Sequence, residues 1–141
     1  MITDASVRAD LSGQWTTVRK LRAASHRQSI AGGPGGGMYI NETPPDNYYN
    51  LPLVLAFAVL DEALGEHIQQ GTFKCGDRRP PLLGAKMSAS RNAIPWQDYS
   101  LVELGKTARN KLTHEAQFIP KADCFKFIDA IERELKAWAG I

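Results

Sequence analysis

The stretch FKFIDAIERELKAW, residues 125–138, repeats its large apolar side chains with a helical period. Phe125, Phe127, Ile128, Ile131, Leu135 and Trp138 follow one another mostly at steps of three and four, and at about 100° per residue this gathers them into one stripe. Lys126, Asp129, Arg133 and Lys136 fill the opposite side. A helix of this kind is stable only when its stripe is buried against other elements, so the chain must supply partners. Pro120 sets its start, because proline is tolerated at a helix beginning and breaks a helix interior.

Working outward, the partners are also helical. Pro95 and the caps Asp98 or Ser100 open a helix that should fray near Glu115 or Gln117, with Leu101, Leu104, Gly105, Ala108 and Leu112 on its core face. Residues 82–92, LLGAKMSASRN, predict a short helix. Asn50 as cap and Pro52 in the first turn begin another helix, which runs through LVLAFAVLDEALGEHIQQ to Gly71 and is apolar enough to be central. From Thr3 to Ile30, Val7, Leu11, Trp15, Val18 and Leu21 predict one long amphipathic helix. Between these two, AGGPGGGMYINETPPDNYYN holds five glycines and three prolines and cannot be helical, which predicts a flexible loop over residues 31–47. No period-2 strand pattern stands out. The fold class is therefore all-α, an antiparallel bundle of four main helices plus a short one, in a single domain spanning residues 1–141.

Composition narrows the function. The longest apolar run, LPLVLAFAVL, meets Asp61 and Glu62 and falls short of the roughly 18 residues a membrane span needs. Asp4 and Asp10 interrupt the N-terminal region, so no secretory signal is expected and the chain reads as cytoplasmic. In that compartment Cys75 and Cys124 stay reduced and fill space. No His, Cys, Asp and Glu cluster has metal-ligand spacing, and GGPGGG lacks the Lys-Ser/Thr ending of a phosphate loop, so no metal or other cofactor is expected. The net charge is only +2, but it is unevenly spread: residues 74–91 hold five Lys/Arg against one Asp. Such a cluster can follow a phosphate backbone.

The remaining chemistry lies in TARNKLTHEA, residues 107–116. On the helical wheel Asn110 and His114 point away from the core face and Arg109 stands at its flank. Four residues separate Asn110 from His114, so the amide can reach the imidazole and fix its tautomer. Arg109 and His114 differ by about 140° in direction, so either the last turn unwinds or a second chain completes the pair.

The sequence ARNKLTH resembles the Arg-Asn-x3-His motif of the HEPN superfamily, on the penultimate helix of a small bundle, with the Leu-rich approach LVELGKTA, a break at QFIP and a closing amphipathic helix. The resemblance covers residues 82–141. It implies a homodimeric, metal-independent endoribonuclease of the toxin-antitoxin or phage-defence kind, with an antitoxin or nucleotidyltransferase as partner and Arg109, Asn110 and His114 as catalytic residues. Nucleotidyltransferase-paired members often carry a tyrosine two residues after the histidine; here that position is Ala116.

The residue types suit that chemistry. RNA brings its own nucleophile, the 2′-hydroxyl, so cleavage calls for proton transfer and charge stabilisation. An imidazole exchanges protons near neutral pH, and a guanidinium fork matches two phosphate oxygens. Lys106, Lys111, Arg78, Arg79 and Arg91 are candidates for RNA contacts. The alternative is a catalytically silent HEPN-like module for protein interaction or RNA binding, in which the same three residues are consumed by internal partners. His26 and His67 fall outside the motif.

Overall fold

A computed structural model describes residues 1–24, 26–30 and 35–141. Its elements in chain order are α1 (Ala5–Arg22), β1 (His26–Ile30), β2 (Met38–Glu42), a 3-10 turn (Asp46–Tyr49), α2 (Asn50–Gln69), α3 (Leu83–Ser90), α4 (Tyr99–Glu115) and α5 (Lys121–Ala139). The all-α bundle expected from the apolar stripes is the architecture observed. Among the described residues no helix is long and apolar enough to cross a membrane.

α2 and α5 form the central pair and run in the same direction. Asn50, at the start of α2, bonds to Ile119 just before α5, and the ring of His67 near the end of α2 stands edge-on to Trp138, with centroids 5.8 Å apart. α1 lies antiparallel to both. The Ile2 amide donates to the Trp138 carbonyl at 2.7 Å, Gln14 reaches Glu62, and Arg22 at the far end pairs with Asp129. α4 lies antiparallel on the other side, with the residues before it bound to Glu134 and its middle pressed against Phe57 and Phe127. Leu11, Trp15, Val18, Leu53, Phe57, Leu60, Ile128, Ile131, Leu135 and Trp138 are buried in one continuous core.

Three local expectations are corrected. α1 ends at Arg22, not Ile30, and residues 26–30 pair antiparallel with 38–42 in a two-stranded hairpin, with Ile30 opposite Met38. The apolar period of α1 stops at Leu21, and its last turn carries Arg19, Lys20 and Arg22, cations that suit the negative end of the helix dipole. Beyond it no stripe remains to hold a helix against the core, so backbone pairing across the Gly-rich connection satisfies the amides instead. The expected flexible loop over 31–47 therefore contains a strand and part of a 3-10 turn, and residues 31–34 of it lie outside the described residues. Asn50 is not the cap of α2: it is the first helical residue, and its side chain serves a distant segment.

The core face of α4 is turned from the one expected. Val102 and Gly105 are buried, whereas Leu104 is 57% exposed. The reason is tertiary. A Cβ on Gly105 would lie 2.8 Å from Phe127 Cγ and 3.1 Å from Phe57 Cζ, so α4 makes its closest approach to α5 and α2 at this residue. Centring the packed face on Gly105 rolls Leu104 out on one edge and Arg109 inward on the other.

Candidate active site

The helix that carries the motif is held at both ends. Glu134 of α5 is buried and accepts from the Gln97 amide at 2.8 Å and the Asp98 amide at 2.7 Å, just before α4 begins. Burial raises the Glu134 carboxyl above the usual carboxylate range, and the bonds from Gln97 and Asp98 work against that rise. Asp98 caps the helix by accepting from the Leu101 amide at 3.1 Å. At the other end Asn50 clasps the segment that follows α4: its Oδ1 accepts from the Ile119 amide at 2.9 Å and its Nδ2 donates to the Ile119 carbonyl at 3.0 Å. Between these clasps α4 runs unbroken to Glu115, and Ala116 closes it in the left-handed conformation with φ 52°.

Arg109, Asn110 and His114 border one groove of about 530 Å³. Its opposite wall is the segment from Pro80 through Ala85, which leads into α3, and Lys106 adds a fourth polar side chain from α4. The last turn of α4 does not unwind, so the two directions separated by about 140° reach the groove from a regular helix. Arg109 is half-buried; His114 is exposed at the rim. Lys106 leans across to α3, its Nζ 3.5 Å from where a Cβ on Gly84 would stand.

The role expected of Asn110 is corrected by the bonding. Its Oδ1 accepts from Arg109 Nη1 at 3.0 Å, and no bond between Asn110 and His114 is present among the described residues. The long guanidinium arm folds back on its neighbour and takes the amide oxygen first. Asn110 thus positions the arginine. Arg109 Nε, by contrast, is buried without an acceptor among the described residues. A buried N–H left unmade costs on the order of 1–3 kcal/mol, more when it belongs to a charged group. Thr113 Oγ1 donates to the carbonyls of Arg109 and Asn110 at 3.2 and 3.1 Å, which tightens the turn that carries them.

One acid also borders the groove, and it is occupied. Asp61 Oδ1 lies 3.0 Å from the ammonium of Lys86, a buried side chain of α3 that also donates to the Asp61 carbonyl at 3.1 Å. The contact is an ion pair without hydrogen-bond geometry, so it is held by charge. Lys106 and Arg109 have no ion-pair partner among the described residues, and the groove is cationic.

The other candidates scatter. Lys111 lies along the other edge of α4, on a mixed polar and apolar depression of about 300 Å³ that includes Leu104 and Phe118. Arg91 follows α3 and stacks over the Tyr99 ring at 4.8 Å. Arg78 and Arg79 border a second hollow, of about 760 Å³, in the connector between α2 and α3. His67 is fully buried, and burial pushes its imidazole down to about 4. Cys75 and Cys124 are unpaired thiols.

Sequence reasoning missed the wall at Pro80–Ala85, the Asp61–Lys86 pair and the clasps Asn50 and Glu134. The paired Pro80-Pro81 before a short helix was a visible signal for the wall; the clasps join positions too distant for any local pattern to reveal. No family model, curated protein or solved structure matches this chain.

Proposed function

We propose that this protein is a metal-independent endoribonuclease that cleaves RNA through the 2′-hydroxyl of its own substrate. The observation that carries the reading is the groove, where Arg109 with its unpaired Nε, Asn110, Lys106 and His114 meet on one side of α4. A phosphodiester placed there would lie against the Arg109 guanidinium, which would favour the more negative transition state. The 2′ oxygen bonds to phosphorus, the bond to the 5′ oxygen breaks, and a proton leaves the first oxygen while another reaches the second. His114 takes the first proton or delivers the second. Asn110 keeps Arg109 aimed, and no step assigns work to a metal.

The homodimer belongs to this proposal. One histidine serves one proton transfer at a time, so a second chain apposing its own α4 would bring an acid to face the base. The exposed Leu104 and Phe118 supply apolar area that the polar edge of α4 lacks. The HEPN resemblance of residues 107–116 points the same way, toward a toxin or defence component. A second reading is favoured by one contact: the Arg109–Asn110 bond satisfies part of the motif internally, as a silent interaction module would.

Rates separate the two. The full chain, incubated with single-stranded RNA and EDTA, is expected to cut it, His114→Ala to lose most activity, and Arg109→Ala to lose on the order of 10²-fold or more. Intact RNA with the wild-type chain, or equal rates for wild type and His114→Ala, would leave the silent module.

A further inference from the structure

The groove does not end at Pro80. Pro80 and Pro81 are also walls of the hollow formed by the α2–α3 connector, so the two depressions share one boundary. That hollow presents Lys74, Arg78 and Arg79, all exposed, against a single acid, Asp77. None of the three cations takes part in an ion pair among the described residues. The positive charge therefore continues from Arg109 and Lys106, over the proline wall, into the connector. The Asp61 carboxylate on this route already has its cation in Lys86.

Resting on the reading of the groove as an RNA site, we infer that Lys74, Arg78 and Arg79 form a second phosphate-binding subsite that holds the single strand leading away from the scissile bond. Three features favour a single strand over a duplex. The cations line concave hollows, whereas duplex RNA is gripped across successive minor grooves on a broad surface. The two proline rings and the exposed Leu82 offer an apolar ridge against which unpaired bases can lie. Charges that track one backbone in file are the pattern of single-strand channels. Arg91 and Lys111 stand off this path, the first stacked on Tyr99 and the second on the Leu104 edge of α4. The subsite makes the enzyme sensitive to substrate length, because a dinucleotide fills the groove alone while a longer strand also engages the connector.

The test is fluorescence anisotropy with a labelled single-stranded RNA and the full chain carrying His114→Ala, so that binding is read without cleavage. Adding Arg78→Ala with Arg79→Ala is expected to weaken binding about ten-fold or more at low salt. It should also flatten the dependence of log affinity on log salt by roughly 1.4, the share of two phosphate contacts to a single strand. Adding Lys20→Ala with Arg133→Ala instead removes equal charge from exposed sites outside both hollows and should change neither quantity. Equal losses from the two pairs would reduce the effect to net charge and overturn the subsite. Unchanged affinity in the Arg78/Arg79 variant, with wild-type protein still cutting RNA, would overturn the subsite and leave the groove reading standing. Selective loss of binding in a protein that never cuts would uphold the subsite and sink the catalytic reading. No binding of RNA by any variant would sink both.

Discussion

The two ends of α4 and its groove side treat polar groups in opposite ways. Asn50 and Glu134 are buried, and the functional oxygen and nitrogen atoms of both are matched by backbone partners. On the groove side Arg109 keeps a buried Nε without an acceptor and His114 stands at an open rim. Buried polar groups are nearly always satisfied, so the difference sorts them by purpose. Satisfied groups hold the helix in place, while Arg109 and His114 line a space that a ligand can fill. His67 sharpens the distinction. Its Nε2 also lacks an acceptor among the described residues, yet the residue is 0% exposed. Both unpaired atoms are covered; what separates the two residues is that the Arg109 side chain lines the groove, whereas His67 lies wholly inside the core.

The sealed histidine gives the largest predicted effect on stability. Its folded-state value of about 4 lies below the ordinary 6.5, because burial disfavours the charged ring. A base depressed in this way opposes folding once the unfolded chain is protonated. Its contribution is whole above about pH 6.5, is lost as the pH falls, and levels off near pH 4, with a total loss of about 3 kcal/mol. Glu134, raised by burial, works in the opposite sense, gaining stability as it protonates. Urea unfolding at several pH values should show a steeper acid loss in the wild type than in His67→Gln; parallel losses would mean that His67 is not sealed.

Removing a satisfied clasp should cost nearly as much. Asn50→Ala leaves the buried Ile119 amide without a partner and its carbonyl with only the Cys124 thiol, and is expected to destabilise by about 2–3 kcal/mol. A loss under half of that, by thermal or urea unfolding, would show that water replaces the clasp. Gly105→Ala drives a methyl into Phe127 and Phe57 and should cost about 1–3 kcal/mol, while tilting α4 and with it Arg109. A variant as stable as wild type would show that α4 can shift freely, against the idea that its packing aims the groove. The smallest effect lies at Ala116, held at φ 52°. Ala116→Gly relieves that strain, and after the greater freedom of glycine in the unfolded chain it should gain a few tenths to about 1 kcal/mol. Destabilisation in the same assay would place a packing role on the methyl group.

The helices were legible where the signal was local. The stripe of α5, the proline after its predecessor and the cap Asp98 each act within a few residues, and each appears as read. Leu104 was misplaced because the phase of α4 is set by the contact of Gly105 with Phe57 and Phe127, and a wheel weighs size without knowing where a neighbour presses closest. The hairpin was missed because its pairing is non-local and its strands carry no alternation of apolar and polar residues. The motif residues were legible as a set, and their common groove was not, since its far wall comes from the Pro80–Ala85 segment. The bond from Arg109 to Asn110 depends on the rotamer of a long side chain, which spacing alone leaves open.

The most direct test of Arg109 and His114 as a nuclease site uses two strands of one base sequence, one RNA and one DNA, incubated with the full chain in EDTA. The predicted result is that the RNA is cut to fragments ending in a 2′,3′-cyclic phosphate and a 5′-hydroxyl, while the DNA, which lacks the attacking group, survives. Cleavage of both strands, or RNA fragments carrying a 5′-phosphate, would contradict attack by the 2′-hydroxyl and with it the roles given to Arg109 and His114.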